Sequence, residues 1–422
     1  MTIALVDANA FYCSAEILFR PWLRDFPVCV ASNNDSAVVS RNDPAKALGI
    51  KMGQPVFELK DLMARNQVKI FSSNYELYQS ISNRIMAILE ELSPRVFVYS
   101  VDELFASLDG VPDPEAWGRQ ARDEVMRRVG MPVGVGIAQT KTLAKLANWA
   151  AKRWKIQTGC VVDLRDPARR DKLLRYAPVD EVWGIGRRLS AKLTAELKIK
   201  TAWDLATADP KLLRRYFNVN VERTARELTG VQCFPFVDGG PERKQQIICS
   251  RSFGKKIFSL DCLRGAVTTF ATTAASKLRA QHSLANCLQV FAHSNRFAPG
   301  EYHSASQIVA LPFPTDDTRD LASAAVQGLN AIYREGIEYA KAGVILTQFV
   351  ERGSITGDLF APKPRTGSQQ LMAVMDAINA KQGRGSIRLA RDTDAPAWAM
   401  RRRLLSPAYT TSWKGLPVAG CR

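Results

Sequence analysis

Val96-Phe97-Val98-Tyr99-Ser100-Val101-Asp102-Glu103-Leu104-Phe105-Ala106-Ser107-Leu108 sets two adjacent carboxylates inside an otherwise apolar, strand-forming run. β-Branched and aromatic residues lead into the pair, and Leu104, Phe105 and Leu108 lead out of it. The stretch reads as two strands joined by a short acidic turn. Carboxylates in a buried hairpin are costly to ionise unless something pairs them, and a divalent cation is the commonest such partner. The plain alternative is an exposed acidic turn. Adjacent residues of a regular strand point to opposite faces. Asp102 and Glu103 therefore serve one site only if regular strand geometry breaks at 102–103.

The rest of the chain gives that hairpin its context. The 422 residues leave room for about three domains. Lysine and arginine number 58 against 41 acidic residues, a formal net charge of +17. Such a balance points to a polyanion, with nucleic acid ahead of an anionic membrane. No run of about 18 apolar residues is present, which argues against a transmembrane helix. The first residues lack a basic n-region and reach a carboxylate at Asp7, unlike a signal peptide. Eight scattered cysteines without a C-x-x-C pair read as free thiols in a reducing cytoplasm. The three histidines have no zinc spacing.

Upstream, residues 2–6 form a short strand ending on Asp7, followed by a turn and a helix to about Arg20. Asp7 is thus at a strand's end, facing helix-start amides suited to phosphate; the alternative is a helix cap. Strands at 26–31 and 37–40 flank the turn 33–36. Asp43-Pro44 then opens a short helix bearing Lys46, with Arg41 just before it. Residues 74–92 form an amphipathic core helix. Downstream, a helix spans about 114–129. The strand 133–137 alternates glycines, which permits close backbone approach. Residues 131–162 hold no acid but five cations: Lys141, Lys145, Lys152, Arg153 and Lys155. A patch of one sign repels itself unless an anion covers it, though it can also be a solvated face. With the strand 160–162, this region predicts a mixed α/β sheet with helices on one face.

From about residue 166 the chain is helical. Gly184-Ile185-Gly186 reads as the turn of a helix-hairpin-helix, whose glycine amides and following Arg187 and Arg188 would meet a phosphate backbone without base contacts. Val237 to Pro241 is a linker by composition. A β-α-β-β-α-β order follows to about residue 350, a split-βαβ arrangement. Its first strand sets Arg251 and Ser252 where they would lie on DNA. Residues 351–422 have too few apolar residues for a core and read as a partner-docking segment or a surface appendage. The fold class is therefore α+β and multi-domain. Asp7, Asp102 and Glu103 at strand ends of one sheet, with Lys46, Lys141 and Lys152 around them, form a magnesium–nucleotide recipe.

The motifs D-A-N-A-F-Y at 7–12, S-N-N-D at 32–35, A-K-A-L-G-I-K-M-G at 45–53, S-S-N-Y-E-L-Y at 72–78, Y-S-V-D-E at 99–103, V-G-V-G-I-A-Q-T-K-T-L-A-K-L-A-N at 133–148, V-W-G-I-G-R-R at 182–188, I-C-S-R-S-F-G at 248–254 and L-S-P-A-Y-T-T at 405–411 together resemble the Y family of translesion DNA polymerases, in its UmuC-type branch. The likeness implies a right-hand-like polymerase with a palm (1–10 and 75–165), fingers (11–74), a helix-hairpin-helix thumb (166–235), a split-βαβ little finger (236–350) and a tail (351–422). It implies two magnesium ions on Asp7, Asp102, Glu103 and the carbonyl of Ala8. Tyr12 falls at the steric gate against a ribose 2′-OH. Phe11, Ser40, Lys46 and Lys152 match positions near the incoming dNTP. Gly184, Gly186, Arg187 and Arg188 match the primer-side phosphate contact of primer-template DNA.

The partners it implies are a UmuD-type processed dimer, a RecA filament and a sliding clamp, in a cytoplasmic, nucleoid-associated SOS role. There are departures. Asp43-Pro44 replaces the branch's usual Ala-Glu, Arg41 differs from archaeal relatives, and the clamp motif at 356–360 keeps only its Leu359-Phe360 half. Two other classes stay open on the residues alone. A nucleotide cyclase would use the carboxylates but leave the charge unexplained. A non-enzymatic DNA scaffold would use the charge but not the carboxylates.

Overall fold

The structure is a computed structural model. It describes all residues except 94, 237–242, 299, 354–361, 363, 384, 393–395, 397 and 417–422. The expected linker at 237–241 and the clamp-like motif at 356–360 lie outside the described residues. Two compact units are present, Met1–Gly240 with Arg403–Arg422, and Pro241–Arg402.

The first unit opens with β1 (Ile3–Ala8) and α1 (Phe11–Leu18), then β2 (Val28–Ala31), β3 (Val38–Arg41) and α2 (Asp43–Ala47). Next come α3 (Lys60–Asn66), β4 (Lys69–Ser72) and α4 (Tyr75–Leu92). The acidic hairpin follows as β5 (Val96–Val98) and β6 (Glu103–Ser107), with regular strand structure interrupted between them. Then come α5 (Pro114–Val129), β7 (Val133–Ala138), α6 (Lys141–Arg153), α7 (Lys155–Thr158) and β8 (Val161–Asp163). α5 has local signals at both ends: the Asp113 side chain accepts from the Ala116 amide, Pro114 opens the first turn, and Gly130 closes it at φ 78°.

β5, β6, β1, β7 and β8 make one sheet in that order. It carries helices on both faces, a correction to the expected single covered face. One face packs on α1, α4 and α5 through Ala4, Val6, Leu104 and Val135. The other packs on α6 through Ile3, Leu5 and Phe105. β7 decides this, because all six of its residues are buried. At Gly136 a Cβ would lie 2.1 Å from the Ala144 carbonyl oxygen, so α6 rests directly on the strand backbone. A second sheet, β3-β2-β4, has its own core around Cys29, Val38, Ala45, Leu59 and Ile70.

The helical segment comprises α8 (Pro167–Tyr176), α9 (Arg187–Leu197), α10 (Ala202–Thr207), α11 (Pro210–Tyr216) and α12 (Val219–Leu228), and shares its core with the α6 face of the first sheet. The Gly184-Ile185-Gly186 turn is preceded by a single 3-10 turn at Val179–Glu181, not by a full helix, and followed by α9. Glu227 fastens α12 to α6. Fully buried, it accepts from the amide and hydroxyl of Thr142 at 3.0 and 2.7 Å and from the amides of Cys233 and Phe234 at 3.0 and 2.9 Å.

The second unit contains β9 (Ile247–Ile257), α13 (Leu260–Ala280), β10 (Ser283–His293), β11 (Ser304–Thr315), α14 (Thr318–Ile332), β12 (Tyr339–Glu351) and α15 (Ser368–Gln382). Its sheet runs β11-β10-β12-β9 with antiparallel neighbours. Each connecting helix therefore steps over one intervening strand, a split β-α-β twice over. α15 buries Met372 and Met375 and pairs Asp376 with Arg279 at 2.6 Å. Trp398 lies edge-on to Phe253 and Phe270. The described residues beyond Arg403 instead belong to the first unit. Among the described residues no helix is long and apolar enough to cross a membrane.

Candidate active site

Strand alternation places the carboxylates. On β1, Ile3 and Leu5 face α6, so Asp7 shares that face; on β6, Phe105 does, so Glu103 shares it. The ladder then sets Asp7 directly opposite Glu103. Asp102 sits in the turn just before β6. Its carbonyl accepts from the Ala8 amide at 2.9 Å, and its carboxylate accepts from Ser100 Oγ at 2.6 Å. The same Ser100 oxygen accepts from the Glu103 amide at 3.1 Å, which holds the turn closed. The interruption of the strand thus separates the two adjacent acids, with Glu103 on the ladder and Asp102 above it.

α6 brings the cations. Lys145 and Lys152 are two turns apart on one helical face. Lys152 pairs with Asp7, and Lys145 Nζ lies 2.9 Å from Glu103 Oε2. Lys145 also stands over the rings of Tyr99 and Trp183 at 4.5 and 5.1 Å. Burial pushes the Asp7 carboxyl up to about 7, against the pull of Lys152 and with the facing Glu103 adding to the rise. Lys141, expected beside the carboxylates, is not there. It is 5% exposed, donates to the Pro235 carbonyl at 2.7 Å and lies over Phe97 at 4.5 Å. Burial lowers its pKa, with Glu227 opposing.

Among the described residues, no three His, Cys, Asp or Glu side chains are gathered closely enough to hold a metal ion. Each of the three acids is engaged by a donor of the chain itself. The donor set nevertheless fits a hard divalent cation. It offers carboxylate oxygens only, and two of the carboxylates face one another at the ends of two interior strands, where like charges favour a cation between them.

Of the expected nucleotide residues, Phe11 and Tyr12 lie on α1, Ser40 on β3 and Lys46 on α2, while Lys152 is on α6. Phe11 is buried at the start of α1, behind Ala10 at φ 45°, a strained conformation for a non-glycine residue. The Tyr12 ring stacks on Tyr78 at 4.5 Å and meets Tyr75 edge-on at 6.2 Å. Ser40 Oγ accepts from the Cys13 amide at 3.4 Å. Lys46 pairs with Asp43 at 2.8 Å, and Lys155 pairs with the same carboxylate. Burial would raise the Asp43 carboxyl, but hydrogen bonds from Lys155 and Lys46 outweigh it and hold it at about 2.

On the expected DNA side, Gly184 takes φ 88°, and Gly186 caps α9 without a side chain over its amides. Arg187 and Arg188 are exposed there. In the second unit, Arg251 and Ser252 are consecutive exposed residues of β9, next to a register shift against β12. Sequence reasoning did not single out Glu16, Trp183 or Glu227. The spacing of Lys145 and Lys152 on one helix was the signal available for their shared role.

Known structures place this fold. A Y-family DNA polymerase chimera of Dbh and Dpo4 segments superposes with a TM-score of 0.68 at 19% identity, covering 83% of this chain and all of that one. Protein UmuC of Salmonella typhimurium strain LT2 is 47% identical over 98% of this chain and 99% of its own length. Protein ImpB of Salmonella typhimurium is 45% identical, over 99% of each. Residues 6–149 match the impB/mucB/samB family, residues 244–359 that family's C-terminal domain, and residues 369–419 a domain of unknown function, DUF4113. The chain belongs to the impB/mucB/samB family of Y-family DNA polymerases.

Proposed function

We propose that the chain performs error-prone, template-directed DNA synthesis past lesions, with Asp7, Asp102 and Glu103 as the catalytic carboxylates. The observation that carries this is the cross-strand pairing of Asp7 with Glu103, with Asp102 one residue away in the turn. These three and the carbonyl of Ala8 would hold magnesium. Bound magnesium ions supply charge stabilisation for the attacking and leaving oxygens of an in-line phosphoryl transfer.

The lysines act by exchange. Lys152 and Lys145 now neutralise Asp7 and Glu103, while Asp43 occupies Lys46 and Lys155. An incoming dNTP offers phosphate oxygens to the same cations, so carboxylates and lysines trade partners as substrate enters. Tyr12, supported from behind by Tyr78, is the residue that rejects a ribose 2′-OH. Phe11 and Ser40 shape the pocket next to it. Gly184, Gly186, Arg187 and Arg188 take the primer-side phosphates, and Arg251 with Ser252 the DNA backbone. In this reading the first sheet is the palm, the β3-β2-β4 region the fingers, α8–α12 the thumb and the second unit the little finger. An SOS role, with a UmuD-type processed dimer, a RecA filament and a sliding clamp as partners, follows from the family alone.

Primer extension with magnesium on undamaged and abasic templates tests the reading. Template-dependent extension through the abasic site is expected. Nucleotide turnover without DNA would replace it with a cyclase, and DNA binding without turnover would replace it with a scaffold.

A further inference from the structure

The described end of the chain runs back onto the first unit, behind Tyr12. The Leu404 amide donates to Ser72 Oγ at 2.9 Å, and the Ser72 amide donates to the Leu404 carbonyl at 3.0 Å. The side chain of Asn74, which caps α4, donates to Ser406 Oγ at 2.9 Å and to the Ser406 carbonyl at 3.1 Å. Ser406 Oγ in turn donates to Glu16 Oε1 at 2.9 Å. The Tyr409 ring stacks on Phe19 at 4.4 Å.

Glu16 is fully buried, and the proposed chemistry does not use it. Its Oε1 accepts from Tyr78 OH at 2.8 Å as well as from Ser406, and its Oε2 accepts from Arg20 at 3.1 Å. Arg20 is itself held between Phe71 and Tyr409, at 4.7 and 5.3 Å from their ring centroids. Two of the groups that orient Glu16 therefore depend on residues 406–409. Tyr78 is the next link. Its hydroxyl is pinned by Glu16, and its face carries the Tyr12 ring at an interplanar angle of 16°. A phenol held at both its hydroxyl and its ring face is restrained from sliding or tilting, and it restrains the ring stacked on it.

We propose that Glu16 is a positioning residue for Tyr12 and that the tail segment 403–411, through Ser406 and Tyr409, sets the sugar discrimination of the site. The proposal rests on the reading of Tyr12 as the residue that rejects the 2′-OH. It gives part of the DUF4113 segment a function in cis, as a brace for the nucleotide pocket of its own chain.

The full-length chain is assayed for single dNTP and rNTP incorporation, with kcat and KM measured separately. Tyr12→Ala, Tyr78→Phe and Ser406→Ala are tested, with each of the last two also combined with Tyr12→Ala. Losing one hydrogen bond in the relay should lower discrimination about fivefold in Ser406→Ala and Tyr78→Phe. The change should come from improved rNTP incorporation, with dNTP KM and the melting temperature close to wild type in Ser406→Ala. In the Tyr12→Ala background the same substitutions should change nothing, because the ring they position is gone. If Tyr12→Ala collapses discrimination while Ser406→Ala and Tyr78→Phe leave it at wild type, the brace is overturned and the gate stands. If Tyr12→Ala leaves discrimination unchanged, the gate reading fails and the brace with it. Equal effects in both backgrounds would make the relay merely structural and overturn the proposal.

Discussion

Asp7 and Glu103 stand directly opposite each other across the β1–β6 ladder, both on the face covered by α6. Directly opposed like charges weaken a sheet pair. The arrangement persists because Lys152 and Lys145 reach over from α6, one to each acid. The site is thus built with repulsion in its strands and neutralisation on its helix.

Asp102→Asn should abolish primer extension, by about a hundredfold or more, while leaving DNA affinity within about twofold of wild type. Extension assays beside fluorescence anisotropy on a labelled primer-template make the comparison. Retained extension would remove Asp102 from the metal-binding set.

Asp43→Ala should lower the KM for dNTP by about twofold to fivefold with little change in kcat, because an exposed ion pair of modest strength no longer competes for Lys46 and Lys155. Steady-state kinetics at low and moderate salt would detect it. A raised KM would instead make Asp43 a residue that holds the two lysines in place for substrate.

Glu227→Ala should destabilise the first unit by about 3 kcal/mol or more, since four donors from Thr142, Cys233 and Phe234 lose one buried acceptor. Denaturant unfolding measures this. Glu227→Gln should cost less, as an amide oxygen still accepts. Equal losses in the two variants would mean that the charge, rather than the acceptor, holds α12 to α6.

Burial, opposed by hydrogen bonds from Tyr78 and Ser406 and by Arg20, raises the Glu16 carboxyl above its ordinary value of 4.5. A folded-state carboxyl that holds its proton more tightly than the unfolded chain gives stability that is fullest below 4.5 and declines as pH rises through the raised value. The stability of wild type relative to Glu16→Gln should therefore fall as pH rises above 4.5. Melting curves across that range test the sign, and an opposite drift would place the carboxyl below its ordinary value.

Gly136→Ala should cost about 2 kcal/mol or more and also lower extension, because the added methyl would meet the Ala144 carbonyl oxygen at 2.1 Å and the Asn148 amide nitrogen at 2.3 Å. Both are helix backbone, so α6 must lift and take Lys145 and Lys152 with it. Unfolding and extension measured on one preparation test the coupling. Full activity in a destabilised variant would separate the helix's packing from its lysines.

Sequence told most where local chemistry decides. Asp113, Pro114 and Gly130 bound α5 by capping and backbone preference alone, and the alternation of β1 and β6 could be read from apolar residues on the α6 face. It told little where long-range contacts decide. β4 is a four-residue strand held by parallel pairing with β2, which no local signal announces. Lys141 looked like its neighbours on an acid-free helix, but Phe97, Phe105 and Phe236 close over it from distant parts of the chain. The two covered faces of the first sheet were hidden for the same reason, because the glycines of β7 indicated close approach without naming what approaches.

The bond between Ser406 and Glu16 spans 390 positions of sequence. A ribosome adds about 5–20 residues per second and domains fold as they emerge, N-terminal ones first. The carboxylate on α1 is therefore made early and must wait roughly half a minute for the hydroxyl that completes its burial. Until Ser406 has been translated, Glu16 and the Tyr78 hydroxyl bound to it lack that partner, even when Asp7, Asp102 and Glu103 have already folded into place.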